Sequence, residues 1–405
     1  MLARGGAHVA LVDKATFPRD KACGDLIGPR GVAVLDDLGL RPTGTIVCRD
    51  MIVVGPTGRT VRLPCPAGTS YPSTILAVPR TIFDAHLREA ALDAGAEAID
   101  ERVAGLDGRK VRLSNGGAVE GRVVIGADGA ASVVARDAGL VNHRIVLRAF
   151  AVRAYLSETV AEPHIVFWEP VPRRAFPGYG WLFPGPDGRA NVGLGAAAAA
   201  SARPARELNA FLDHLWRIGV LGSRAAPEAV SGGWLKMGMI GTVAAAGSVL
   251  LAGDAAGLVN PLQGEGISEA LASGRAVGEA ILRESDPASS YKRWIADTYG
   301  PFQSVGAAIQ RLVSERPRAV ATVSRALVSA GRIRAVAGAW SVFWNDLLDG
   351  ATPGPPRAVA SAAARTGRAL TAPSRTRAWL ADAFRDPPPT DREPGRPRFR
   401  RRVGA

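Results

Sequence analysis

The sequence contains few cysteines and histidines, which argues against a metal-binding protein and against a disulfide-rich secreted one. Its three cysteines, Cys23, Cys48 and Cys65, do not have metal-ligand spacing, and an odd number cannot all pair within one chain. The five histidines are scattered, so we predict no metal site. We expect reduced thiols and a cytoplasmic protein rather than a disulfide-rich secreted one.

Long uncharged apolar runs are also missing. The longest candidate, residues 244–259, is interrupted by Asp254, so no membrane-spanning helix is expected. The first residues, MLARGGAHVALVDK, lack the long apolar core and small-residue cleavage site of a secretory signal. Peripheral contact with the inner face of the cell membrane remains open as an alternative.

Lysine is scarce, since only five of the 50 basic residues are lysine. The net charge of +13 alone would indicate a nucleic-acid partner. Arginine, alanine and glycine are abundant along the whole chain, however, so we attribute the charge to compositional bias and predict no nucleic-acid binding. The 405 residues, 47% of them hydrophobic, are enough for two or three packed units.

Three apolar segments are predicted to be buried strands that end at an acidic residue. They are HVALVDK with Asp13, VVIGADG with Asp128-Gly129, and VLLAGDAAG with Gly253-Asp254. Ligands of open parallel sheets bind beyond the carboxyl ends of the strands. Asp13 is therefore a candidate partner for an adenosine ribose, and Asp254 for a ribitol or ribose hydroxyl. The alternatives are a surface charge at Asp13 and a simple turn at each Gly-Asp pair.

The third segment continues through Pro261 into GEGI and a predicted helix over residues 266–283. Glycines at Gly264 and Gly266 allow the backbone to approach a ligand closely, and the helix start at Ile267 offers amide groups to a flavin ring. The whole pattern is far more specific than a Gly-Asp pair alone. It predicts an FAD-dependent oxidoreductase of the α/β class.

The remaining sequence predicts a second unit. Residues 149–236 are dominated by alternating apolar strands, which indicates a mostly antiparallel sheet, and helix formers prevail beyond Asp286. The boundaries that we predict are an FAD-binding domain at 1–45, 79–148 and 240–285, a substrate domain at 46–78 and 149–239, a helical region at 286–385, and a disordered basic tail at 386–405.

These motifs resemble the geranylgeranyl reductase family of the para-hydroxybenzoate hydroxylase-like flavoproteins, over about residues 1–350. The shared segments are VDKATFPRDKACGD, RTIFDAHL, the Asp128-Gly129 pair, the Gly253-Asp254 segment and FPGYGWLFP, of which the last is the most family-specific. The resemblance implies a Rossmann-like FAD-binding domain with an inserted β-sheet domain. The FAD-site residues that it implies are Asp13, Lys14, Arg19, Lys21, Cys23, Gly24, Arg80, Asp128, Gly129, Gly253, Asp254, Gly264, Gly266 and Ile267.

The resemblance also implies a substrate cavity walled by Tyr179, Trp181 and Phe183, with Pro261 as a further contact. The alternative is that these aromatic residues are the core-facing side of a strand, since they alternate at period two. Cys23 and Tyr179 are the candidate catalytic acids, with an ordered water as another candidate. For Cys23, simple packing is the alternative.

The implied reaction is the reduction of an isoprenoid double bond in a lipid or quinone. NAD(P)H would reduce FAD, hydride would pass to one alkene carbon, and an acid would protonate the other. Two alternatives remain: a flavin monooxygenase or halogenase acting on an aromatic or polyketide substrate, and a non-catalytic remnant. The oligomeric state is not predicted.

One departure from the family pattern is large. The usual first strand and G-x-G-x-x-G loop, which hold the FAD pyrophosphate, are not in the sequence, so we expect either a start assigned too late or weakened FAD binding. Near the other end, Trp340, Phe343 and Trp344 lie close together. We consider two roles for them, contact with a membrane surface and packing of a terminal helix.

Overall fold

The computed structural model describes residues 1–65, 70–198, 203–224, 226–331 and 333–371. The strands are β1 (Ala10–Val12), β2 (Leu26–Ile27), β3 (Ile46–Cys48), β4 (Asp50–Val54), β5 (Thr60–Pro64), β6 (Ile75–Ala77), β7 (Glu97–Ile99), β8 (Val103–Asp107), β9 (Lys110–Leu113), β10 (Ala118–Glu120), β11 (Val124–Gly126), β12 (Leu147–Leu156), β13 (His164–Val166), β14 (Gly178–Pro184), β15 (Ala190–Ala197), β16 (Glu228–Met237), β17 (Ala245–Ala246) and β18 (Val249–Leu251). The helices are α1 (Pro29–Leu38), α2 (Arg80–Asp93), α3 (Val133–Asp137), α4 (Pro204–Arg217), α5 (Ile267–Arg283), α6 (Pro287–Glu315), α7 (Pro317–Ala330), α8 (Arg334–Trp344) and α9 (Pro355–Thr371). The predicted basic tail lies outside the described residues.

Parallel strands form the part of the fold predicted to hold the nucleotide. Strand β1 pairs in parallel with β7, and β11 pairs in parallel with β18. Within the described ranges, no strand joins these two pairs. Helices α5 and α6 cover the β11–β18 pair, burying Leu250, Val277 and Tyr291 in one apolar cluster. The predicted α/β class is confirmed.

A seven-stranded sheet, here called the large sheet, forms the second unit. Its spatial order is β16-β12-β15-β14-β13-β4-β5, and its neighbours are antiparallel except for β13 and β4. One face packs against α4 through Phe211 and Leu182. The other face packs against α7 and α8 through Trp181, Val328 and Ala337. The mostly antiparallel sheet predicted for residues 149–236 is confirmed.

Helix α4 was not predicted, because the strands around it dominate that segment. Its sequence nevertheless carries the helical signal: Pro204 stands in the first turn, and Leu208, Phe211, Leu212 and Leu215 recur at the spacing of one helix face and are buried. The helix closes one face of the large sheet.

Residues 46–78 connect the two units. Strands β4 and β5 belong to the large sheet, whereas β3 and β6 form a three-stranded sheet with β2. Strand β2 follows the loop that contains Cys23 and Gly24. This loop is therefore placed between the two units by pairing on its carboxyl side.

The C-terminal aromatic residues pack on the rest of the molecule. The ring of Trp340 lies 6.5 Å from that of Phe167 and 6.2 Å from that of Trp344, and Phe343 lies 5.0 Å from Phe302. Of the two roles considered for these residues, packing is the one that the structure displays. In the described part of the chain, no helix has both the length and the apolarity needed to cross a bilayer.

Candidate active site

The segment after β18 folds back on itself to form one side of the site. Gly253 has a φ of +55°, and a Cβ there would lie 3.0 Å from the Cβ of Ala270. Gly266 precedes α5, and a Cβ on it would lie 3.3 Å from Oδ1 of Asp254. The glycines thus let the Asp254 turn and the start of α5 lie in contact.

Asp254 is surrounded by cations. Its burial raises the pKa of the carboxyl, while Lys21, Arg80 and Lys236 act in the opposite direction. Among the described residues, no side chain donates a hydrogen bond to this carboxylate. A ribitol or ribose hydroxyl would meet an acceptor here that receives no side-chain donor from the described residues, which is the chemistry that FAD requires.

The loop at Cys23 forms the opposite side. The backbone N–H of Asp25 donates to the Cys23 sulfur at 3.4 Å. Burial raises the pKa of the Cys23 thiol, and the neighbouring guanidinium of Arg80 opposes this rise. Arg80 opens α2 and makes a bidentate pair with Asp84 at 2.8 Å for both bonds, and Arg19 contacts the same carboxylate at 2.9 Å. The predicted residues Arg19, Cys23 and Arg80 are therefore together.

A buried hydrogen-bond network holds the Cys23 loop against the large sheet. Asn191 donates to the Cys23 carbonyl at 2.8 Å and to Oδ2 of Asp25 at 2.9 Å, and it accepts from Nε1 of Trp181 at 2.9 Å. The hydroxyl of Tyr155 donates to the same Asp25 oxygen at 2.6 Å. Asp25 has a φ of +64°, a strained backbone that these contacts stabilise.

Three aromatic side chains of β14 reach this loop from the face of the large sheet that bears α7 and α8. A Cβ on Gly24 would lie 2.9 Å from the ring of Phe183 and 3.4 Å from Nε1 of Trp181. Trp181 and Phe183 are buried, with rings stacked 6.2 Å apart. The hydroxyl of Tyr179 lies 3.2 Å from the position that a Cβ on Gly264 would take.

Three of these residues and Glu265, which precedes α5, outline an internal cleft. Cys23, Tyr179, Asp254 and Glu265 lie deep in the protein, yet each retains accessible surface. Deep side chains that remain accessible line a concave surface. The cleft therefore lies between the Cys23 loop, β14 and the start of α5, where the sequence predicted the flavin and substrate to meet.

Other predicted residues are used differently. Both oxygens of Asp128 cap α3: they accept from the Ser132 hydroxyl and from the N–H groups of Val133 at 2.7 Å and Val134 at 3.2 Å. This capping explains the carboxylate without a cofactor, although Asp128 lies within electrostatic range of Lys236 beside Asp254. Gly129, with a φ of +81°, forms the turn before α3.

Among the described residues, no hydrogen bond or ion pair joins Asp13, Lys14 or Pro261 to the residues that line the cleft. Asp13 ends β1 as predicted, and its Oδ1 accepts from the N–H of Ala15 at 2.9 Å, while Lys14 is exposed. Pro261 is buried, and a Cβ on Gly306 of α6 would lie 2.6 Å from its ring. Packing on α6 thus accounts for the side chain of Pro261.

Sequence reasoning missed Asn191, Lys236 and Glu265. Lys236 was detectable as a lysine within an apolar strand: it is 3% exposed, donates to the Ala255 carbonyl, and has a pKa lowered by burial to about 8. Glu265 stands inside the GEGI motif itself. Asn191 gave no signal, because the two partners to which it donates, Cys23 and Asp25, are more than a hundred residues away in sequence.

Comparison with known proteins identifies the family. The chain is 36% identical over 333 residues to the menaquinone reductase of Mycolicibacterium smegmatis, covering 77% of this chain and 80% of that protein. It is 37% identical to the menaquinone reductase of Mycobacterium tuberculosis, covering 77% and 79%. The chain belongs to the geranylgeranyl reductase family of FAD-dependent oxidoreductases. The predictions of this family and of an enzyme are confirmed.

More distant relatives agree with this family. A digeranylgeranylglycerophospholipid reductase of Methanopyrus kandleri is 31% identical, covering 73% of this chain and 77% of that protein. No family model matches the chain. Among solved structures, a geranylgeranyl bacteriochlorophyll reductase-like protein of Thermoplasma acidophilum has a TM-score of 0.69 at 19% identity, covering 84% of this chain and 91% of that one.

The fold extends beyond reductases. A flavin-dependent brominase has a TM-score of 0.64 at 16% identity, covering 91% of this chain and 95% of that chain. At such identities the likeness shows the fold alone, and it confirms the predicted flavoprotein architecture. It does not favour the halogenase alternative, because function resides in the site rather than in the fold.

Proposed function

We propose that this family member binds FAD along the cleft and uses NAD(P)H to reduce double bonds in the polyprenyl chain of a quinone. The observation that carries the proposal is the meeting of three segments: the aromatic residues of β14, the Cys23 loop and the start of α5. Tyr179 reaches Gly264 and Phe183 reaches Gly24. An apolar wall therefore stands directly beside the predicted flavin segment.

The choice of a quinone rests on the relatives. The two mycobacterial menaquinone reductases share more identity with this chain than the phospholipid reductase does.

Different residues of the cleft would bind the cofactor and exclude water. When bound, FAD supplies the hydride for the reaction. Asp254 is placed to accept a cofactor hydroxyl, and Gly253, Gly264 and Gly266 allow the backbone to approach closely. The aromatic residues of β14 exclude water from the cleft, which an unactivated alkene requires, since its protonation creates a cation that water would trap.

The test is a product analysis under anaerobic conditions. The protein, reconstituted with FAD and supplied with NADPH or NADH, should convert menaquinone to a product that gains two hydrogens for each reduced double bond, as measured by mass spectrometry. A digeranylgeranylglycerophospholipid tested in parallel should react more slowly. Product that carries an added oxygen or halogen atom in air, with no reduction under anaerobic conditions, would contradict the proposal.

Asp254→Asn is the matched variant for the cofactor. The amide keeps the size of the side chain but removes the charged acceptor, so we expect FAD binding to weaken by about tenfold to a hundredfold, as for loss of a charge-assisted hydrogen bond. Asp297→Asn is the control, since this position lies on α6 and outside the cleft. Equal FAD affinity in both variants would show that Asp254 does not bind FAD.

A further inference from the structure

A buried cluster of charged groups lies behind Glu265. It consists of Arg30, Glu265, Glu269, Asp346 and Asp349. The guanidinium of Arg30 binds both oxygens of Asp349 at 3.0 Å, and its Nε lies 3.8 Å from Oε2 of Glu269. Arg30 also donates to the backbone carbonyl of Asp346. The cluster thus joins α1, the start of α5 and the turn after α8.

The charges of this cluster do not balance when all its members are ionised. Four carboxyl groups face one guanidinium, and Glu269 and Asp346 are only 1% and 2% exposed. Like charges that close in a low-dielectric interior cannot all persist. Burial raises the pKa of Glu269, and the neighbouring Glu265 raises it further. At least one carboxyl group of the cluster is therefore expected to keep a proton, since four ionised carboxylates cannot persist beside one guanidinium.

A second observation supports stored protons. Oδ2 of Asp346 is buried and has no hydrogen-bond partner among the described residues. An unpaired carboxylate oxygen is costly inside a protein, whereas a protonated carboxyl reduces the cost. Burial also raises the pKa of Asp346, although Arg30 opposes the rise.

The cluster has one end at solvent and one at the cleft. Asp349 is 41% exposed at its side chain and accepts from the Tyr71 hydroxyl at 2.7 Å. Glu265 lies at the other end: its Oε1 accepts from the N–H of Ser268 at 2.8 Å, and its Oε2 lies 3.5 Å from the position of a Cβ on Gly28. Glu269 lies in the first turn of α5, whereas Glu265 precedes the helix, and Glu269 accepts from the Tyr299 hydroxyl at 3.2 Å.

Two carboxyl groups line the cleft, and Glu265 is the one left to act as an acid, because Asp254 is assigned to a cofactor hydroxyl. Burial raises the pKa of Cys23 and of Tyr179 above the already high ordinary values of a thiol and a phenol. The pKa of Glu265 is also raised by burial, but from the lower starting value of a carboxyl, and hydrogen bonds from Ser268 oppose the rise. A poorly basic alkene is protonated more readily by a carboxylic acid than by a thiol or a phenol.

We propose that Glu265 is the catalytic acid and that Glu269 returns a proton to it from the solvent side of the cluster. This inference rests on the proposed function. In the reaction, the alkene π electrons take the proton of the Glu265 carboxyl and form one C–H bond, while hydride from the reduced flavin forms the other. Glu265 is left as a carboxylate. It recovers a proton from Glu269, and the cluster recovers one from water at Asp349.

The first test needs neither cofactor nor substrate. Infrared spectroscopy of the flavin-free protein at neutral pH should show the carbonyl band of a protonated carboxyl that is absent from ordinary exposed acids. Glu265→Gln and Glu269→Gln should each change this band. Glu279→Gln is the matched control on the same helix, because its carboxylate is paired with Arg275 at 3.0 Å near the surface, and it should leave the band unchanged. No such band in the wild type would overturn the proposal.

The second test separates the two half-reactions. After anaerobic reduction of the bound flavin, polyprenyl quinone should reoxidise it about a hundredfold to ten-thousandfold more slowly in Glu265→Gln than in the wild type, the range expected for loss of a general acid. The rate of flavin reduction by NAD(P)H should be unchanged. The control Glu279→Gln should react at the wild-type rate, and so would Glu265→Gln if Glu265 were not the acid.

Two further outcomes are informative. If Glu265→Gln fails to bind flavin, Glu269→Gln decides, because Glu269 is buried behind the cleft: at least tenfold slower reoxidation supports the proton path, and a wild-type rate overturns it. If the wild type itself does not transfer hydride to a polyprenyl chain, the proposed function fails. The infrared result still shows whether the cluster stores protons.

Discussion

Replacing Asn191 with leucine tests how the Cys23 loop is held against the large sheet. Asn191 is 1% exposed and makes hydrogen bonds to Trp181, to the Cys23 carbonyl and to Asp25. Leucine is of similar size but satisfies none of them. The Trp181 N–H and the Cys23 carbonyl lose their partner, and the Asp25 carboxylate keeps the Tyr155 hydroxyl.

The size of the effect follows from these groups. Each buried polar group left without a partner costs about 1–3 kcal/mol. Since the two groups left without a partner share one site, their costs are not fully additive, and we expect the free energy of unfolding to fall by about 2–4 kcal/mol. This is a large part of the ~5–15 kcal/mol that stabilises a typical domain.

Urea denaturation followed by tryptophan fluorescence measures this loss. The matched control is Asn209→Leu on the exposed side of α4, where the change should stay within about 0.5 kcal/mol. In Asn191→Leu, a loosened loop should also make Cys23 react faster with a thiol reagent. A loss below about 1 kcal/mol with unchanged thiol reactivity would refute the reasoning.

Three other changes follow from the same structure. Lys236→Met removes a lysine whose pKa is lowered by burial to about 8. Because the unfolded chain binds this proton more tightly than the folded one, the free energy of unfolding of the wild type should rise relative to that of the variant by at most about 3 kcal/mol between pH 8 and 10.5. Denaturation at each pH measures this difference. Gly264→Ala, at a φ of +70° and 3.2 Å from the Tyr179 hydroxyl, should cost about 1–2 kcal/mol and weaken FAD binding in a flavin titration, whereas Gly274→Ala in α5, with open space around it, should be neutral or stabilising. Phe211→Ala should lower the free energy of unfolding by about 3–5 kcal/mol, because the ring is fully buried between Trp168 and the large sheet, and calorimetry would measure the loss.

Much of the fold was predictable because its signals are local. The strand ending before Gly253-Asp254 and the helix starting at Ile267 are written in one continuous segment, and both lie where the sequence placed them. The pairing of β4 and β5 with the large sheet, and of β3 and β6 with β2, was not predictable. Those partners lie far apart in sequence, and the sequence of a short apolar strand does not indicate which other strand it pairs with.

The site was predictable only in part, for the same reason. Cys23, Arg80, Asp254 and Gly264 come together as the resemblance implied. Asn191 is an ordinary asparagine in an apolar strand, and its role exists only because β15 passes under the Cys23 loop. The charge imbalance around Glu265 likewise depends on Asp346, which is brought to it by the turn after α8.

The central claim is that the cleft reduces a polyprenyl double bond with hydride from bound flavin. The most direct measurement is an anaerobic single turnover in which the flavin-loaded protein is fully reduced, mixed with menaquinone, and followed at once by flavin absorbance and by mass spectrometry of the quinone. The account predicts that flavin reoxidation and the gain of two hydrogens in the polyprenyl chain proceed at the same rate. Reoxidation that leaves the polyprenyl chain unchanged, or that occurs only after oxygen is admitted, would contradict it.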